Sequence, residues 1–296
     1  MRIDRLLALN FFHPLRIAIE RSNGIRIPIL MYHSISDEPE SGHPYFWTNT
    51  SPKRFTEQMR FLKENDYKVI SLTEAAEILY NAKASGFPMV QDRRTSFPRY
   101  VVLTFDDGFG DFHAEAFPIL REYGFFATVF LPTGLISGVG SVFKGKRCLC
   151  WEEIRELAAA GIHFGSHTVT HPNLKTLPWD RVEQELSESK KTLEGRLGMA
   201  VESISYPYAF PEEDRRFRTR MRCSLKEYGY RNGVTTNIGA ASMGDDRLFL
   251  NRVPINSDDD PSLFRLKLEG GYDWMHWFQY GKKVLWRIGT RGPLTE

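Results

Sequence analysis

Short, continuous apolar runs recur along this chain, and most are followed by a segment with helical spacing. That alternation constrains the fold more than any other feature. Ile27–Tyr32, Lys68–Leu72, Tyr100–Phe105, Phe125–Leu131, Ile162–Gly165, Ile204–Tyr206, Gly233–Thr236 and Phe249–Ile255 read as strands. Phe55–Glu64, Thr73–Ala82, Ala114–Tyr123, Trp151–Ala160 and Trp179–Leu197 read as helices. Ser51-Pro52 suits a helix start and Gly124 a helix C-cap. Strands separated by helices pair in parallel and need cover on both faces, which makes the chain an α/β protein. About eight such strands favour a closed barrel over an open sheet.

The 296 residues are enough for one large barrel domain. The formal charge of +2 gives no reason to propose nucleic acid as a partner. Three cysteines cannot build a disulfide framework, and their presence suits a reducing compartment. Cys148-Leu149-Cys150 is too closely spaced for a zinc motif. The longest apolar runs fall short of the roughly 18 residues that cross a bilayer. Residues 1–26 form a weakly amphipathic segment broken by Asn10, His13 and Pro14, without a cleavage signature. It is either a docking helix or a membrane-surface anchor. The barrel is expected over 27–260. The tail over 261–296 interleaves Tyr272, Trp274, Trp277, Phe278, Tyr280 and Trp286 with Lys282, Lys283 and Arg287. It reads as an amphipathic helix closing the bottom of the barrel, or as a peripheral membrane or polysaccharide contact. The expected location is the cytoplasm or the inner face of a membrane, and the oligomeric state stays open. Lys83–Arg99 and Leu135–Arg147 read as surface loops, and Asp245-Asp246 and Asp258-Asp259-Asp260 as solvated loop acids.

Two motifs carry chemistry. In Thr104-Phe105-Asp106-Asp107-Gly108, adjacent carboxylates follow an apolar strand. That is the strand end where parallel α/β folds place their sites. Neighbours on an extended segment point to opposite sides, so one carboxylate can bind a metal while the other stays free as a base. An Asp-Asp-Gly turn is the plain alternative. In Gly165-Ser166-His167-Thr168-Val169-Thr170-His171-Pro172, two histidines four apart can converge on one cation. Together with Asp107 they supply two imidazoles and one carboxylate, leaving positions open for water and substrate.

These two motifs, with Phe117-Pro118-Ile119-Leu120 and Ala127-Thr128-Val129-Phe130, resemble the polysaccharide deacetylases, the nodulation-type family-four carbohydrate esterases. The likeness spans about Ile27 to Ile255. It implies a distorted (β/α) barrel of about seven or eight mostly parallel strands. It also implies Asp106 as catalytic base, and Asp107, His167 and His171 as ligands of a divalent metal. Zinc is foremost, with cobalt, nickel, manganese or iron(II) as alternatives. The family's third motif, Arg-x-Pro-Tyr, reads Ser205-Tyr206-Pro207-Tyr208 here. Tyr208 then offers the main-chain N–H for the oxyanion, with Pro207 and Tyr206 supporting it or packing in the core. The missing arginine leaves Arg252, on a later strand, to position the base, unless it is only a surface residue. The family's C-terminal acid histidine is absent, since Arg252-Val253-Pro254-Ile255 ends in Asn256. Met31-Tyr32-His33 on the first strand resembles the permuted branch that deacetylates poly-N-acetylglucosamine, which makes His33 the general acid.

The resemblance implies metal-dependent removal of N-acetyl groups from N-acetylhexosamine units of an N-acetylated glycan. An O-acetyl esterase, a deacylase of a lipid-linked amino sugar, and a glycan-binding barrel without turnover remain as alternatives.

Overall fold

Alternation inside and outside a closed sheet organises the chain. The computed structural model describes residues 3–12, 25–84, 98–136 and 141–290. Eight strands form the main sheet: β1 (Ile29–Tyr32), β2 (Tyr67–Val69), β3 (Arg99–Phe105), β4 (Thr128–Leu131), β5 (His163–Ser166), β6 (Ser203–Ser205), β7 (Asn232–Ile238) and β8 (Leu250–Pro254). Their order is β1-β8-β7-β6-β5-β4-β3, and β3 pairs back onto β1, so seven parallel strands close a barrel. β2 adds to the outer edge of β3 instead of entering the ring. The barrel is α/β as expected, with seven strands in the closed ring.

The helices are α1 (Pro52–Glu64), α2 (Leu72–Ala84), α3 (Phe117–Tyr123), α4 (Trp151–Ala159), α5 (Trp179–Leu197), α6 (Arg215–Glu227), α7 (Pro261–Leu268) and α8 (Met275–Thr290). Ser51 caps α1 by accepting from the Arg54 N–H, with Pro52 at the first helical position. Gly124 ends α3 with a left-handed φ of 69°. The segment before α3 is a π-turn over Phe112–Ala116.

Each strand divides its side chains between two environments. Along β3, Val101, Leu103 and Phe105 face an outer cluster with Phe55 and Met59 of α1 and Leu120 of α3. Val102 faces inward with Ile29, Phe130, Val234 and Leu250. Leu72, Ala75, Ala76 and Leu79 of α2 join that inner cluster and seal the lower end. A third cluster lies outside β6, where Ile204 and Tyr206 meet Leu186 of α5 and Met221 of α6.

The chain ends pack together. Ala8 is buried with Leu263, Leu266, Tyr272 and Met275, Phe12 stacks on Trp274 at 4.3 Å, and Arg5 pairs with Asp260 at 2.5 Å. Residues 3–12 therefore dock on the barrel's C-terminal elements. α8 does not cross the barrel bottom. The Gln279 side chain accepts from the Ile238 N–H and donates to the Thr236 carbonyl, at the C-terminal end of β7.

Several loop assignments change. The 135–147 stretch contains a hairpin pairing Val142–Phe143 with Lys146–Arg147, while 137–140 and 85–97 lie outside the described residues. Asp259 is not a solvated acid. It is buried against Lys267 at 2.7 Å. Asp260 caps α7, and Asp246 pairs with Arg222 at 2.6 Å. The apolar cover of α7, and the arginine supplied by α6, lie beyond the reach of a local charge count.

Candidate active site

Inward positions at the C-terminal ends of the strands build the site. On β3 the inward series Val102, Thr104 continues to Asp106. On β1 the series Ile27, Ile29, Met31 continues to His33. On β8 it is Leu250, then Arg252. On β5 an added Cβ at Gly165 would meet the inward Phe130 ring at 2.4 Å, so the next inward residue is His167.

Arg252 is fully buried. Its guanidinium grips Asp106 with two bonds, Nη1 to Oδ1 at 2.8 Å and Nη2 to Oδ2 at 2.6 Å. Its other donors reach the Ser205 hydroxyl at 2.9 Å, Thr104 Oγ1 at 3.2 Å and the Thr235 carbonyl at 2.9 Å. The surface-strand alternative for Arg252 is thereby excluded. Burial alone would raise the Asp106 pKa, but the Arg252 charge, with His167 nearby, holds it at about 2. Asp106 is therefore a charged, oriented carboxylate at neutral pH.

Asp107 breaks the alternation. Simple pleating would send it into the outer core, but its φ of 72° turns the side chain to the mouth. Gly108 continues the turn with φ 62°, and a Cβ there would lie 2.7 Å from Leu131 Cδ2. Asp107 Oδ1 lies 3.1 Å from His171 Nε2 and 3.6 Å from His167 Nε2. Ligand atoms of the three residues all lie within 4.8 Å of one another. Burial opposes the charge on Asp107, but the close approach of His171 and the other surrounding imidazoles holds its pKa far below the usual carboxylate range. Burial lowers the His167 pKa to about 4, so the ring is neutral at pH 7, as a metal ligand must be.

Second contacts orient these groups. The Ser205 carbonyl is 2.8 Å from His167 Nδ1, fixing that ring so that Nε2 faces Asp107. Glu185, buried on α5, accepts from the Val169 N–H at 2.7 Å, the Thr170 N–H at 2.9 Å and the Thr170 hydroxyl at 2.7 Å. It shapes the loop carrying His171. Lys144, on the hairpin, donates to Asp107 Oδ2 at 2.8 Å. Of the six non-glycine residues with left-handed φ among the described residues, five surround the site: Asp107, Lys144, Thr168, His171 and Tyr208. Each such conformation costs about 1–3 kcal/mol and persists only where its surroundings over-determine it.

The predicted residues thus converge, with one exception. His33 is half-buried within the field of Asp107 and Asp106. Burial lowers its pKa and those two carboxylates oppose the shift. Tyr208 is exposed, with its ring 4.9 Å from His171, and its main-chain N–H meets no acceptor among the described residues. Pro207, buried, leads into it. Tyr206 is the exception. Strand alternation puts it on the outer face of β6, 4.7 Å from Phe210 and 5.8 Å from Phe249, away from the mouth. Asn256 is structural, donating to the Pro44 and Trp47 carbonyls. Sequence reasoning missed Ser205, Glu185 and Lys144. Only Glu185 left a signal, as an acid on the apolar stripe of α5.

The donor set fits a metal. Asp107 Oδ1 is buried without a hydrogen-bond partner and faces two imidazole nitrogens. A carboxylate oxygen and two His nitrogens suit a divalent transition metal.

Residues 93–233 match the sequence model of the polysaccharide deacetylase family. The chain is 31% identical over 251 residues to YxkH of Bacillus subtilis, whose name places it among the polysaccharide deacetylases; the match covers 85% of this chain and 79% of YxkH. It is 25% identical over 219 residues to a poly-β-1,6-N-acetyl-D-glucosamine N-deacetylase of Staphylococcus aureus, covering 71% of this chain and 69% of that protein. In structure it resembles the Streptococcus pyogenes deacetylase PplD, solved with acetate. The TM-score is 0.64 at 28% identity, over 83% of this chain and 99% of PplD. The chain belongs to the polysaccharide deacetylase family.

Proposed function

We propose that this protein is a metal-dependent hydrolase that removes N-acetyl groups from N-acetylhexosamine units of a polysaccharide or oligosaccharide. The barrel over 27–260 is the catalytic unit, flanked by 1–26 and 261–296. The observation that carries the reading is the split of two adjacent carboxylates. Asp106 is held by Arg252, while Asp107 faces His167 and His171. The S. aureus relative supports an N-acetylated glycan as substrate.

Asp107, His167 and His171 hold the metal, and zinc suits two imidazoles with one carboxylate. When bound, such a cation supplies Lewis acidity toward water and the acetamide oxygen. The chain's own groups do the rest. Asp106 accepts the proton of the attacking water. It stays charged at neutral pH, and two bonds from Arg252 fix its orientation. The Tyr208 N–H donates to the oxyanion that develops at the carbonyl, in a position set before reaction because backbone cannot swing away. His33 acts in its imidazolium form, which burial opposes and the Asp107 and Asp106 charges favour; it gives a proton to the departing amine, and the proton taken up by Asp106 restores the balance. Acetate and a free amino sugar are the products.

Acetate release from N-acetylated glucosamine oligomers, with and without added zinc, tests the assignment, with Asp107→Asn as control. We expect turnover in the wild type and loss of both metal and turnover in the variant. Metal-loaded protein that binds the oligomers without releasing acetate would sink the enzymatic reading. Release only from O-acetylated glycans would reassign it as an esterase.

A further inference from the structure

The catalytic reading leaves one surface unused. α8 carries Lys282, Lys283 and Arg287 and no acidic residue. Met275 is buried, and Gln279 and Lys283 bond inward, Lys283 to Asn237 at 2.7 Å and Glu212 at 3.3 Å. The opposite face is apolar and exposed among the described residues. Trp277 is 74% exposed, Phe278 53% and Leu285 71%. Steps of three and four residues, from Phe278 through Gly281 to Leu285, keep that face on one side.

The other chain end extends it. Phe12 stacks on Trp274, one turn before Trp277 and Phe278, and meets Phe11 at 5.1 Å. Phe11 is 58% exposed, and Leu6 and Leu7 are also exposed. The N-terminal segment thus packs beside the start of α8 through Phe12 and Trp274, and adds further exposed apolar side chains near it. Lys282 stands 4.6 Å from the Phe278 ring and is itself exposed.

We infer that this surface docks on an anionic lipid bilayer. A helix with an aromatic face, the exposed Lys282 beside it and no acids of its own suits the headgroup boundary, where indole and phenyl rings enter the apolar layer and Lys stays with the phosphates. Each Lys or Arg near a negatively charged leaflet adds about a fivefold gain in partitioning. No helix among the described residues is long and apolar enough to cross a membrane, so the contact lies in the interface plane. α8 is bonded to the end of β7, and the Thr236 hydroxyl there donates to the Tyr208 carbonyl at 2.8 Å. Docking therefore sets the active-site mouth beside the membrane and directs the enzyme to glycan at the membrane surface.

Co-sedimentation of the full-length protein with vesicles tests this independently of catalysis. The probes are vesicles of pure phosphatidylcholine and vesicles containing phosphatidylglycerol. We expect pelleting with the anionic vesicles, weakened by about tenfold or more in a Trp277→Ser, Phe278→Ser, Leu285→Ser triple variant. Lys282→Glu should weaken it less. These side chains are exposed, so circular dichroism and the thermal midpoint should match the wild type. Wild-type protein left in the supernatant, or equal pelleting of the triple variant, overturns the inference. So does a concentration-dependent dimer in sedimentation velocity that the triple variant abolishes, which would assign the face to a second copy.

Discussion

Replacing Arg252 with methionine tests the core of the site. The side chain is buried and makes five bonds, two of them to Asp106. Methionine roughly keeps the volume and removes the charge, leaving Asp106 as an unpaired buried carboxylate. Breaking one side of a buried pair in this way costs about 3–5 kcal/mol. At roughly 2–4 °C per kcal/mol for a domain this size, the midpoint should fall by about 10 °C. The acid limb should change as well. The folded Asp106 pKa of about 2 lies below its unfolded value. The pair therefore stabilises the fold above the unfolded pKa of about 3.9, and that stability is lost as pH falls through 2. Removing Arg252 leaves burial to push the carboxyl above its unfolded value, which reverses the sign: in metal-free R252M the group should destabilise the fold at neutral pH and regain stability as pH falls through the raised pKa. Calorimetry of metal-free protein measures the midpoint, and acetate release measures the base. Turnover should fall by about 10²–10⁴-fold. The double variant Arg252→Met, Asp106→Asn should recover much of the stability and none of the activity, since it removes the stranded charge together with the base. A midpoint loss under about 2 °C in R252M, or no recovery in the double variant, would refute the claim that this pair governs the site.

Three further outcomes follow from the geometry. His33→Ala should lower turnover by about 10²–10⁴-fold while metal content by atomic absorption stays at the wild-type level; full activity would remove His33 from the acid role. Glu185→Ala strands three donors of the histidine loop, so metal affinity measured by chelator competition should drop by about 10–100-fold, as for other outer-shell partners; unchanged affinity would show that the loop holds its shape alone. Gly233→Ala would put a Cβ 2.2 Å from the Leu248 carbonyl oxygen, so denaturant titration should report a loss of about 1–3 kcal/mol or more, and a neutral result would contradict the tight β7–β8 approach.

Much of the molecule is legible in its local sequence. Buried parallel strands need continuous apolar runs, and their helices need a 3.6-residue stripe, so the α/β alternation and the span of α5 could be read directly. The candidate metal site was legible for the same reason. Asp106 and Asp107 are adjacent, His167 and His171 are four apart, and both groups follow apolar strands. Short-range chemistry leaves a short-range signature.

What the tertiary structure alone decided is whatever depends on closing the barrel. Ring closure brings Arg252 to Asp106 across 146 positions and carries His33 from the first strand into the same mouth. Nothing local distinguishes a buried strand arginine from a surface one. Left-handed turns at Asp107, His171 and Tyr208 override the plain alternation, and an L side chain takes that conformation only when its surroundings hold it there. Alternation on β6 then removes Tyr206 from the site, although it stands in the same motif as Tyr208. The packing of the two chain ends, with Phe12 on Trp274 and Ala8 buried among C-terminal side chains, likewise has no sequence signature. It joins residues 3–12 to 263–275, which only the folded chain brings together.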